Sequence, residues 1–92
     1  MIDGTVQKHI NLKPEEPVTV EFASGLTQLS IVNMGDAEVY FKLDDITFST
    51  IHDETSNYLN DLVRTVDIDK NDAFTTVTFV ASGVTSVQWD YR

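Results

Sequence analysis

SIVNMGDAEVYF, residues 30–41, decides how the chain is read. Two apolar runs flank Asn-Met-Gly-Asp-Ala-Glu, and the middle is either a ligand-binding loop or a connection between strands. Asn33 and Gly35 both tolerate positive φ, so the stretch reads as a turn that brings Ile31 and Val39 back toward one core. Asp36 and Glu38 then face water. The same pattern of short alternating segment, polar turn and next segment continues on both sides.

On the N-terminal side, Val18, Val20 and Phe22 alternate with Thr19 and Glu21 after the Pro14-Glu-Glu-Pro17 turn. Ser24-Gly25 is expected to end that strand. Before it, Val6, Ile10 and Leu12 are expected on one face of a first strand interrupted by Lys8, with His9 toward solvent. A third strand runs from about Leu26 to Asn33, and Val39, Phe41 and Leu43 make a fourth.

On the C-terminal side, Ile46, Phe48 and Thr50 predict a short strand, and Ser56 is a candidate cap for one helical turn over residues 57–61. Leu62, Arg64, Val66 and Ile68 alternate next. After Asp69-Lys-Asn-Asp72 the expected inward set is Ala73, Thr75, Val77, Phe79 and Ala81. Ser82-Gly83 turns the chain, and Thr85, Val87, Trp89 and Tyr91 share a face of the last strand.

Composition agrees with strands. Val, Ile and Thr make up 28 of 92 residues, and Ala only four. Branched side chains lose rotamer freedom in a helix and pack well on a pleated surface. The expected fold is all-β: a single antiparallel β-sandwich or jelly roll of about seven to eight short strands, one domain over residues 1–92, with residues 1–5 as an N-terminal arm. A chain this short buries only roughly 60–65% of its unfolded surface, so self-association would add stability.

The charge limits the partners. Six Lys plus Arg against fifteen Asp plus Glu give a net charge of −9, which opposes phosphate backbones and anionic bilayers. No nucleic acid and no membrane are expected as partners. The longest apolar runs are three residues, Val39-Tyr-Phe41 and Phe79-Val-Ala81, far short of the ~20 that a spanning helix needs. Met1-Ile-Asp-Gly-Thr5 lacks the basic and apolar parts of a secretory signal. With no cysteine there is no disulfide, thiolate nucleophile or thiolate metal site.

No motif identifies a reaction. His52-Asp-Glu54 is the most enzyme-like string, but neighbours on an extended chain point to opposite faces and do not converge on one atom. Asp67, Asp69, Asn71 and Asp72 are a candidate calcium-ligand set. The loop glycine expected at its sixth position is Asp72 and the glutamate expected at its twelfth is Thr78, so a plain turn is the expected reading. There is no Gly-x-Ser-x-Gly elbow, and the glycines at 4, 25, 35 and 83 stand alone. Glu15-Glu16 and Asp44-Asp45 are read as solvated loops rather than a glycosidase pair. No catalytic residue, no cofactor and no enzyme activity are expected. Trp89 and Tyr91, by contrast, can pack inward, stack on a sugar or meet another subunit.

The order of elements resembles small structural proteins in the virion modules of tailed bacteriophages. The likeness lies in Pro17-Val-Thr-Val-Glu-Phe22, the Ser24-Gly25 turn, Val32-Asn-Met-Gly35 followed by Val39-Tyr-Phe41, and Ser56-Asn-Tyr-Leu-Asn-Asp61 before Arg64-Thr-Val-Asp-Ile68. It covers about residues 10–91. One departure is Leu59-Asn-Asp61, where a glycine or proline is expected. The resemblance implies a β-sandwich of the capsid decoration, head-fibre or adaptor type, with a major capsid or other virion protein as partner. It implies a homo-oligomer, a trimer favoured, located in the virion after synthesis in the host cytoplasm. Contact residues expected on this reading are Ile2, Val6, Trp89 and Tyr91. The alternatives are a tail or fibre adaptor of the same fold, and a carbohydrate-binding module with Trp89, Tyr91 or Tyr40 as platform.

Overall fold

The computed structural model describes residues 2–44, 57–59, 63–67 and 73–92. They form nine strands: β1 (Ile2–Asp3), β2 (His9–Leu12), β3 (Val18–Leu26), β4 (Gln28–Asn33), β5 (Val39–Leu43), β6 (Asn57–Tyr58), β7 (Val63–Asp67), β8 (Phe74–Ala81) and β9 (Thr85–Tyr91). One sheet has the order β1-β3-β8-β5-β6 and the other β2-β9-β4-β7.

The pairing has a simple rule. β2 pairs with β9, β3 with β8, β4 with β7 and β5 with β6, all antiparallel. The chain is therefore a double-stranded ribbon, first half against second half. Folding it over adds the β4–β9 and β5–β8 pairs, and closes two four-stranded sheets into a jelly roll. β1 is extra. It adds to the β3 edge as a parallel pair, Ile2 against Val20 and Asp3 against Glu21.

Alternation places the core between the sheets. Ile10 and Leu12 of β2, Leu29 and Ile31 of β4 and Val87 and Trp89 of β9 face Val20 and Phe22 of β3, Val39 and Phe41 of β5 and Val77 and Phe79 of β8. Each such side chain, fully buried, contributes about 1.5–3 kcal/mol over its exposed state. The inward face Thr85, Val87, Trp89 and Tyr91 is the expected one.

Several local expectations are corrected. Val6 lies in the turn before β2 and is 82% exposed, so it does not share the face of Ile10 and Leu12. β3 runs through Ser24-Gly25 to Leu26, because a bulge absorbs the extra residues: Glu21 faces Thr76, and Leu26 already faces Phe74. On β8 the inward residue is Phe74 rather than Ala73 or Thr75. The phase slips where Asp44 Oδ1 accepts the consecutive amides of Thr75, at 2.9 Å, and Thr76, at 3.1 Å. Asn57–Tyr58 is a strand on the edge of β5, not a helical turn. The expected strand at 46–50, the cap at Ser56, and His52, Asp69, Asn71 and Asp72 lie outside the described residues.

The opening stretch is a corner between the two sheets. β4 ends in one sheet at Asn33 and β5 begins in the other at Val39. The positive-φ explanation fails, since no glycine among the described residues has positive φ. Gly35 is required by space: a Cβ there would collide with the Thr85 hydroxyl. Asn33 fastens the corner. Its Oδ1 accepts the Gly35 amide at 3.1 Å and the Thr85 hydroxyl at 2.8 Å, and its Nδ2 donates to the Ala37 carbonyl at 2.8 Å.

Gly35→Ala is expected to lower stability by about 1–3 kcal/mol through overpacking against Thr85. Gly83→Ala, whose Cβ would only touch Ala37 at 3.4 Å, is the neighbouring control. Urea unfolding of the two variants gives the comparison; equal midpoints would refute the packing account.

Candidate functional site

Three surfaces gather aromatic, polar or exposed apolar groups: the N-terminal segment with its aromatic cluster, the outer face of the β2-β9-β4 sheet, and the end of the sandwich where the β4–β5 corner lies.

At the first, Trp89 is 3% exposed. Its ring stacks on Phe79 at 5.9 Å between centroids and meets Phe22 edge-on at 6.5 Å. Its indole N–H donates to the Gly4 carbonyl at 3.2 Å. Tyr91 packs against Phe22 at 5.3 Å and donates its hydroxyl to the Thr5 carbonyl at 3.0 Å. Lys8 Nζ lies 5.4 Å from the Tyr91 ring and 3.5 Å from Asp90. A buried aromatic with a polar tip needs a hydrogen-bond partner, and both tips are satisfied by the N-terminal backbone.

Of the readings open to these aromatics, inward packing is the one the geometry shows: Trp89 is a core residue, and Tyr91 is half-buried with its hydroxyl engaged. Ile2 is also packed against the core. Residues 2–5 are not a free arm: the Gly4 amide donates to Glu21 at 2.7 Å, and the Ala23 amide donates to the Thr5 hydroxyl at 3.0 Å. A Cβ on Gly4 would collide with Val20 and Phe22, which explains the glycine. Of the four expected contact residues, only Val6 is fully exposed. A small pocket of about 200 Å³ lies beside β1, lined by Ile2, Asp3, Glu21, Phe22 and Ala23.

The second surface is a shallow hollow of about 340 Å³, lined by Lys8, His9, Ser30, Val32, Gln88, Trp89 and Asp90. Its groups do not assemble a nucleophile and base. His9 is opposite Gln88, while Ser30 is opposite Asp90, and β9 separates β2 from β4. Two strand spacings of ~4.8 Å place His9 well beyond a shared proton with Ser30. Among the described residues no group of three His, Asp or Glu side chains could hold a metal ion. Asp67, the one described member of the candidate calcium set, lies in β7.

At the third surface three loops meet. Pro14 bridges to Ala81 and the Glu15 amide donates to the Ala81 carbonyl at 2.7 Å. The Ser82 amide donates to Glu38 at 2.9 Å, and the Met34 amide to Ser86 at 2.8 Å. Residues 13–17, 34–38 and 82–84 thus surround the start of the β8–β9 hairpin. Met34 and Val84 are 55% and 80% exposed there. Neither was anticipated; the signal was an apolar residue inside each polar turn. Beside this end, Tyr40 stacks on Tyr58 at 4.9 Å and donates its hydroxyl to Glu38 at 3.1 Å. Burial first, and the Glu38 carboxylate second, push the Tyr40 hydroxyl's pKa above the usual 10.0.

Removing residues 1–5 is expected to shift the emission of the single tryptophan to the red and lower the urea midpoint, since the Trp89 indole loses its Gly4 partner. An unchanged spectrum and midpoint would show that the segment does not close the core. A second expectation follows from Tyr40. Its raised value means that the unfolded chain releases the proton first, so stability holds below pH 10.0 and falls as pH rises through the folded-state value. Tyr40→Phe should blunt that alkaline loss, and an identical alkaline unfolding curve would count against it.

Comparisons with family models, curated proteins and solved structures returned no match.

Proposed function

We propose that the chain is a non-enzymatic virion structural protein of the capsid decoration or head-stabilising kind, acting by protein–protein contact. The observation that carries this reading is the ribbon pairing of β2 through β9 into a jelly roll within so short a chain. Jelly rolls recur in viral capsid proteins and in lectins, so the architecture alone does not choose between them. The strand-and-turn likeness to small tailed-phage virion proteins favours the first. Apolar side chains presented on loops, with Met34 and Val84 at one end and Val6 in the β1–β2 turn, suit docking by surface complementarity.

A homo-oligomer, a trimer in the favoured case, would bury surface that a domain of this size leaves exposed. The partner on this reading is a major capsid protein or another virion protein. A tail or fibre adaptor uses the same fold and the same kind of contact. The carbohydrate-binding alternative loses Trp89 and Tyr91 as platforms, but it retains the stacked Tyr40–Tyr58 pair, with Tyr58 40% exposed.

The test is association with particles. If the reading is right, sedimentation gives a defined oligomer, and the chain co-purifies at fixed copy number with virus particles. A monomer that ignores particles and gives a specific hit on a glycan array would overturn it.

A further inference from the structure

We propose that the sandwich end built by residues 13–17, 34–38 and 82–84 is the docking surface, and that its occupant is a basic protein surface with an apolar centre. The proposal rests on the reading of the chain as a contact protein and adds which face is used and what chemistry fits it.

Two observations converge on this end. The apolar part comes from separate loops held side by side: the Met34 amide is bonded to Ser86, and Gly35 sits against Thr85, next in sequence to Val84. Met34 and Val84, 55% and 80% exposed, are thus carried on adjoining loops that the hydrogen-bonded corner holds at one end of the sandwich. The polar part is one-sided. Glu15, Glu16, Asp36 and Glu38 are all exposed on these loops against Lys13 alone, and none of the four forms an ion pair with a described residue. The ion pair and cation–ring contact of Lys8 lie beyond the other end of β2.

The charge also decides against a second copy as occupant. A two-fold contact through this end would bring the same four carboxylates against themselves, and like charges across an interface cost several kcal/mol. A basic surface gains from the same arrangement, with an apolar group seated over Met34 and Val84 and Lys or Arg meeting the rim. Glu15 sits at φ 57, a conformation in which glycine is easier. Glu15→Gly therefore removes a rim charge at little risk to the fold.

The experiment is an amide-shift titration of the nitrogen-labelled full chain with a synthetic peptide of alternating Lys and Leu. Glu–Leu and Lys–Ser peptides serve as comparisons. Expected are shifts confined to 13–17, 34–38 and 82–86, no binding of the Glu–Leu peptide, and about tenfold weaker binding of the Lys–Ser peptide. The Met34→Ser/Val84→Ser double variant should bind the Lys–Leu peptide about tenfold less tightly, and Glu15→Gly measurably less tightly, with both unfolding at the wild-type urea concentration. Shifts centred on His9 and Gln88, shifts spread evenly over the surface, equal binding of the Glu–Leu peptide, or no binding would each overturn the proposal. If the shifts map as expected while the chain is absent from particles, the docking surface stands and the virion reading falls.

Discussion

The side chain of Asn33 holds the point on which the architecture turns. β4 and β5 belong to different sheets, and only five residues separate them. Those residues carry backbone groups that need partners at the end of an otherwise complete ladder. One carboxamide supplies two of them, accepting from the Gly35 amide and donating to the Ala37 carbonyl, and it also accepts the Thr85 hydroxyl, while Ser86 and Ser82 meet the amides of Met34 and Glu38. Because Thr85 opens β9, the same contact ties the corner to the strand that pairs with both β2 and β4. The tight corner, the close approach of Gly35 and the placement of Met34 beside the β8–β9 hairpin all follow.

A second fastening lies at the opposite end of β9. Trp89 and Tyr91 are large enough to fill the space between the sheets near Phe22, but their polar tips must also be satisfied. The backbone of Gly4 and Thr5 does this, and β1 extends the β3 edge while the Gly4 carbonyl covers the indole. An edge strand left bare invites pairing with other chains. Here a two-residue strand covers part of it. What the sequence presents as a loose arm is thus part of the core's closure.

The all-β class was legible because alternation of apolar residues is a local property, clear in Val18-Thr-Val-Glu-Phe22 and in Thr85 through Tyr91. Pairing was not. Nothing local says that β2 pairs with β9 rather than with β3, because the ribbon joins residues far apart in the chain. The slip at Thr75 and Thr76 was hidden for the same reason, since their amides are taken by Asp44, distant in sequence and just past the end of β5. Glycine chemistry misled in a specific way: Gly35 suggested a positive φ, while the position demands only the absence of a side chain. Trp89 and Tyr91 were flagged as contact residues, yet their outlet is the chain's own N-terminus. Met34 and Val84 were passed over because single apolar residues in turns gain meaning only when two turns meet.

The central claim is the first-with-last pairing that makes the sandwich a jelly roll and gathers three loops at one end. Long-range proton contacts in solution test it most directly. The account predicts backbone contacts between Ile10 and Val87 and between Ile31 and Trp89, the facing residues of β2–β9 and β4–β9. Contacts joining β2 to β3 as neighbours in a simple meander, with none between β2 and β9, would contradict it.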